Sequence, residues 1–179
     1  MARALIIVDF QNDFCPGGAL AVPGGDEIAG RLNELAASGD HALVVATRDW
    51  HPPDHGSFAA QGGPWPVHCV AGTPGAELHA ALDREPIDEV VDKGQDPGTE
   101  GYSGFEATGL AGLLREHGIS QVTVTGLATD YCVKNTALDA LREGFSVTVD
   151  SAATRGVEVE PGDSMRALAE VRAAGASVA

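Results

Sequence analysis

The chain has 179 residues, a formal net charge of −15 and 44% hydrophobic residues. That is enough chain for one domain with a full core, here residues 1–179. It carries no Lys/Arg block to neutralise phosphates, which excludes nucleic acid and an anionic membrane surface as partners.

In chain order, Ala4-Leu5-Ile6-Ile7-Val8 is an aliphatic run expected of a strand covered on both faces, and Asp9 ends it. The run is too short for a signal peptide or a membrane span. Gln11 to Gly25 is rich in turn formers, notably Pro16-Gly17-Gly18. Ile28, Leu32 and Leu35 recur at helical spacing until Gly39. His41 to Thr47 is a second strand. Arg48 to Gly75 is a loop dense in Pro, Gly, His and Trp, a length that in a compact domain points to function. A short helix is expected over Pro74 to Leu82 and a brief strand over Glu89 to Asp92, ending at Lys93. A glycine-rich loop, Gly94 to Gly104, leads to a helix near Leu110 to His117. Gln121 to Thr125 is the next strand, followed by Gly126-Leu127-Ala128-Thr129-Asp130-Tyr131-Cys132-Val133 and a helix ending near Glu143. Ser146 to Asp150 is a fifth strand, Met165 to Val171 a last helix, and Ala176 to Val178 a short terminal strand.

Strands alternating with helices predict an α/β fold with a mostly parallel central sheet of five or six strands and helices on both faces. Ligands bind such sheets beyond the carboxyl ends of the strands. Asp9, Asp49, Lys93 and Cys132 all fall at or just past strand ends, so one rim would gather an acid, a second carboxylate, an ammonium and a thiol.

Cys132 would open a helix capped by Thr129 or Asp130, where converging N–H dipoles favour a thiolate. Its alternative is a small buried core residue. Asp9 reads as a desolvated carboxylate able to exchange a proton with that thiol, or as a plain turn cap. Lys93 would steady both anions and any oxyanion formed nearby. Asp49, His51, His55 and His68 have the donor types that suit a divalent zinc, iron or manganese ion, unless the histidines are merely a loop cluster. Phe14, Trp65, Tyr102 and Tyr131 fall near the same rim and suit an aromatic ring in the substrate, or pin their own loops. Cys15, Cys69 and Cys132 make no even framework, as expected of free thiols in the cytoplasm.

These residues resemble the nicotinamidase/pyrazinamidase branch of the isochorismatase-like cysteine hydrolases nearly end to end. The resemblance is carried by Ala4 through Cys15, Asp49-Trp50-His51, Trp65 through Val70, Lys93-Gly94, Tyr102 through Phe105 and Gly126 through Val133. It implies a three-layer, Rossmann-like αβα fold and hydrolysis of nicotinamide, and of pyrazinamide, through a cysteine thioester in pyridine nucleotide salvage. A carbamoyl or ureido substrate is the alternative. By the same resemblance Asp9, Lys93 and Cys132 are the catalytic triad, and the backbone N–H groups of Ala128 and Cys132 form the oxyanion hole after a cis Leu127–Ala128 peptide. Asp49, His51, His55 and His68 hold the metal, which anchors the ring nitrogen. Phe14 and Trp65 hold the ring and Tyr102 lines the pocket. Tyr131 stands at the pocket edge, where relatives often carry histidine. The expected partner is a small aromatic carboxamide, and a homo-oligomer is compatible with the chain.

Overall fold

The computed structural model describes residues 1–179. Six parallel strands form one sheet: β1 (Ala2–Val8), β2 (Leu43–Asp49), β3 (Glu89–Lys93), β4 (Ile119–Leu127), β5 (Ser146–Arg155) and β6 (Ser177–Val178). Their spatial order is β3-β2-β1-β4-β5-β6, so the first strand of the chain lies inside the sheet. The sheet is wholly parallel, and the sixth strand is present with two residues.

β1 explains the layering. Ala4 through Val8 are fully buried, and alternate side chains enter opposite cores. Ala4, Ile6 and Val8 pack with Leu110 and Leu114 of α2 (Leu110–Glu116), Ala137 and Ala140 of α3 (Lys134–Arg142) and Val171 of α4 (Asp163–Ala173). Leu5 and Ile7 pack with Leu32 and Ala36 of α1 (Ala29–Ala37) and with the loop residues Phe14, Val22 and Leu78. The result is the expected αβα sandwich, with loops completing the thinner layer.

Several elements differ from the sequence reading. Pro74–Ala76 is a single 3-10 turn rather than a helix reaching Leu82. The long loop's polar backbone is satisfied in part by bridges such as His51 to Val70. β2 runs on to Asp49 and β4 to Leu127, because each gains a paired neighbour there that one segment's composition does not reveal. β5 continues to Arg155 past an irregularity in register near Val124 and Gly126.

Candidate active site

Register sets the site. Val8 pairs with Thr47 on one side and with Gly126 on the other, and Asp49 pairs with Lys93. The strand ends of β3, β2, β1 and β4 therefore stand side by side. Asp9 follows β1 with a left-handed φ of 49°, which turns the chain out of the sheet. Gly126 has φ 106°, and any Cβ there would collide with the Val8 backbone, so only glycine lets β4 lie this close.

Lys93 Nζ is the hub. It lies 2.7 Å from Asp9 Oδ2 and 2.5 Å from Asp49 Oδ1. It donates to the Gly101 carbonyl at 2.7 Å and approaches Cys132 Sγ at 3.5 Å. The buried ammonium is thus shared among two carboxylates, one carbonyl and the thiol. Asp9, Asp49 and Cys132 would together attract a cation, and the ammonium is that cation.

The charge states follow from burial. Asp9 is pushed up to about 6, first by desolvation, against the pull of Lys93. Burial alone would favour the neutral amine at Lys93, but the Asp49 and Asp9 carboxylates outweigh it and hold the ammonium firmly charged. Burial pushes the Cys132 thiol well above the ordinary thiol range, with Lys93 the countering charge. This corrects the expectation of a helix-stabilised thiolate. Cys132 sits in a π-turn, Thr129–Val133, ahead of α3, and neither Thr129 nor Asp130 caps a helix through its side chain. The group at rest is a thiol facing a carboxylate that is mostly ionised at neutral pH.

Beside this cluster, Asp49, His51 and His68 bring one donor atom each to within 4.8 Å of one another. Nδ1 of His51 bonds the Gly94 carbonyl and Nδ1 of His68 the Pro66 carbonyl, both at 2.8 Å, which turns each Nε2 toward Asp49, at 3.2 and 3.9 Å from Oδ2. His55 lies outside that three-donor group. Its ring stacks on His51 with centroids 3.9 Å apart, Nδ1 meets Ser57 Oγ at 2.7 Å, and Nε2 is buried without a partner. Burial lowers His55 to about 4 and lowers His68 as well, which keeps both neutral and able to coordinate. At His51, desolvation is outweighed by Asp49. An orphaned imidazole nitrogen beside a carboxylate and two oriented imidazoles fits a divalent metal.

Both clusters border one cleft of about 430 Å³, open mouth included. Its lining includes Phe14, Trp65, Tyr102, Ala128, Tyr131 and Cys132, whereas Asp9 and Lys93 lie behind the thiol. Trp65 Nε1 donates to the Tyr102 hydroxyl at 3.0 Å, and Tyr131 packs against both rings. Tyr131 is thus the third member of an aromatic wall. The Leu127–Ala128 peptide is cis, and the Ala128 N–H has no partner within the chain.

Sequence reasoning missed the supports. The buried Gln11 side chain accepts the Asp49 N–H at 2.8 Å and donates to the Asp49 carbonyl at 2.8 Å and the Ala76 carbonyl at 2.7 Å. It replaces the strand neighbour that β2 loses where Asp9 turns away. Thr47 Oγ1 donates to Asp9 Oδ1 at 2.8 Å. Phe58 packs against the rings of His51, His55 and His68. Only the position of Gln11, two residues after Asp9, could have signalled its role.

The isochorismatase domain model matches residues 3–179. The nicotinamidase of Escherichia coli is 46% identical, over 98% of this chain and 93% of that one. The pyrazinamidase of Pyrococcus horikoshii, solved in complex with zinc, is 48% identical with a TM-score of 0.92, covering 100% of this chain and 99% of that one. A protein from L. infantum solved with nicotinate is 41% identical with a TM-score of 0.94, covering 99% and 92%. With its six-stranded parallel sheet and this degree of likeness along its whole length, the chain belongs to the isochorismatase family.

Proposed function

We propose that this chain is a nicotinamidase, hydrolysing nicotinamide to nicotinate and ammonia and accepting pyrazinamide as well. The observation that carries this is the aromatic-walled cleft. At its floor a buried Asp9–Lys93–Cys132 cluster lies next to an Asp49–His51–His68 donor set. The identity to the E. coli nicotinamidase, 46%, supports the same substrate.

In this reading Asp9 takes the Cys132 proton as sulfur attacks the amide carbon. The oxyanion meets the Ala128 and Cys132 N–H groups, and the Lys93 charge lies behind it. Asp9 returns the proton to nitrogen, ammonia leaves, and a thioester to Cys132 remains. Asp9 then deprotonates a water that attacks the thioester. The tetrahedral adduct collapses to the acid, and the proton on Asp9 restores the Cys132 thiol. Phe14 and Trp65 grip the ring, and Tyr102 and Tyr131 close its edge. Asp49, His51, His68 and His55 would hold a divalent metal. When bound it supplies a Lewis acid that ligates the ring nitrogen and fixes the amide's orientation. Zinc is the ion we assign, because the donors are imidazole and carboxylate and the Pyrococcus horikoshii protein was solved with it. Three buried free thiols, Cys15, Cys69 and Cys132, suit a reducing cytoplasm and a place in pyridine nucleotide salvage.

Ammonia release from nicotinamide by the parent chain and by Cys132→Ala tests the assignment. The parent should turn over and the variant should fall to background. Near-normal turnover without the thiol would overturn the mechanism.

A further inference from the structure

Asp130 lies two residues before Cys132 in the turn that presents the thiol, yet its carboxylate is committed elsewhere. Oδ1 accepts the Val157 N–H and Oδ2 the Glu158 N–H, both at 2.9 Å, with Asp130 itself 7% exposed. These two amides belong to the segment just after β5. Val157 lines the cleft and packs against the core that holds Leu127 and Ala128. Glu158 has a left-handed φ of 56°, and its own carboxylate accepts the N–H groups of Gly162 at 2.8 Å and Ser164 at 2.9 Å. At Gly156 an added Cβ would meet Ser164 Oγ and lie 3.2 Å from Asp130 Oδ1, so the segment passes close against the carboxylate.

We propose that Asp130 is a positioning residue for specificity: it fixes the Val157 wall, and with it the width the cleft offers to the ring of an aromatic carboxamide. This rests on the nicotinamidase reading above. Two N–H groups held by one buried carboxylate leave the segment little freedom, and the charge assists both bonds. The wall contacts the ring alike before and during reaction, so its loss acts on KM rather than kcat.

Steady-state kinetics on nicotinamide with Asp130→Ala, Asp130→Asn, Val157→Ala and the Asp130→Ala/Val157→Ala double variant test this. Melting curves establish that each is folded. Asp130→Ala should raise KM about tenfold with kcat within about threefold, the scale of one lost pocket contact. Asp130→Asn retains one acceptor and should fall between it and the parent. The double variant should be no worse than Asp130→Ala alone, because both act on one wall. A fall in kcat at unchanged KM, or additive effects, would overturn the proposal and assign Asp130 to the thiol turn instead. If Asp130→Ala does not fold, Asp130→Asn paired with Val157→Ala gives the same cycle. Amide exchange reads the bonds without any substrate. At least one of the Val157 and Glu158 amides should lose protection in Asp130→Asn, which keeps a single acceptor, while those of α3 keep theirs, and unchanged protection at both would also refute the idea. A parent chain that leaves nicotinamide intact would sink only the substrate assignment, since the exchange result stands by itself.

Discussion

Asp9 combines two demands that pull in opposite directions. Burial raises it to about 6, close enough to neutrality to give a proton back, while Lys93 keeps it charged enough to take one. In the proposed mechanism the working form is the carboxylate, so kcat/KM should fall as pH drops through about 6, well above the range of an ordinary aspartate. A pH–rate profile checks this. Thr47→Val removes the hydroxyl that bonds Asp9 Oδ1 and should move that acidic limb upward, since the bond favours the charged form. Lys93→Met leaves two buried carboxylates facing each other without a cation. It should abolish turnover and cost about 3–5 kcal/mol in denaturant unfolding, the range for breaking a buried ion pair.

Elements, more than single residues, mark where sequence reasoning stopped. Asp9 was legible because it ends an apolar run, and Asp49, Lys93 and Cys132 because each lies at or shortly past the end of a readable strand. Their supports were not. Thr47 faces Asp9 only because β2 lies in a given register beside β1, and Asp130 reaches a segment 27 residues away. Neither relation leaves a local pattern. The Pro74 turn was over-read as a helix because Ala and Leu spacing there mimics a helical face, whereas the chain uses Leu78 to cover the sheet. The same logic makes Gln11→Leu informative. It keeps the bulk but strips three hydrogen bonds from the end of β2 and from Ala76, leaving buried backbone groups unpaired. It should weaken zinc retention in a chelator competition by about tenfold, the lower end for losing a support behind a ligand.

At the scale of the whole molecule, the proposed donor set would couple metal binding to stability. Asp49 sits on β2, while His51, His55 and His68 sit on the long loop that covers one end of the sheet. On the metal assignment proposed above, an ion held by both would fasten that loop to the sheet and bind only the folded chain. Removing it with chelator should lower the melting temperature, and zinc at a hundredfold excess over its Kd should restore about 2.7 kcal/mol. A melting temperature indifferent to chelator and zinc would count against the site.

The strand order has a consequence for how the enzyme comes into being. β1 is made first but is flanked by β2 on one side and by β4, which ends at Leu127, on the other. Cys132 arrives only after that. A growing chain can therefore pair β1, β2 and β3 and assemble the acid, the lysine and the histidines while one flank of β1 stays open. The nucleophile comes with the strand that closes that flank, so a chain halted before β4 is both aggregation-prone and chemically inert.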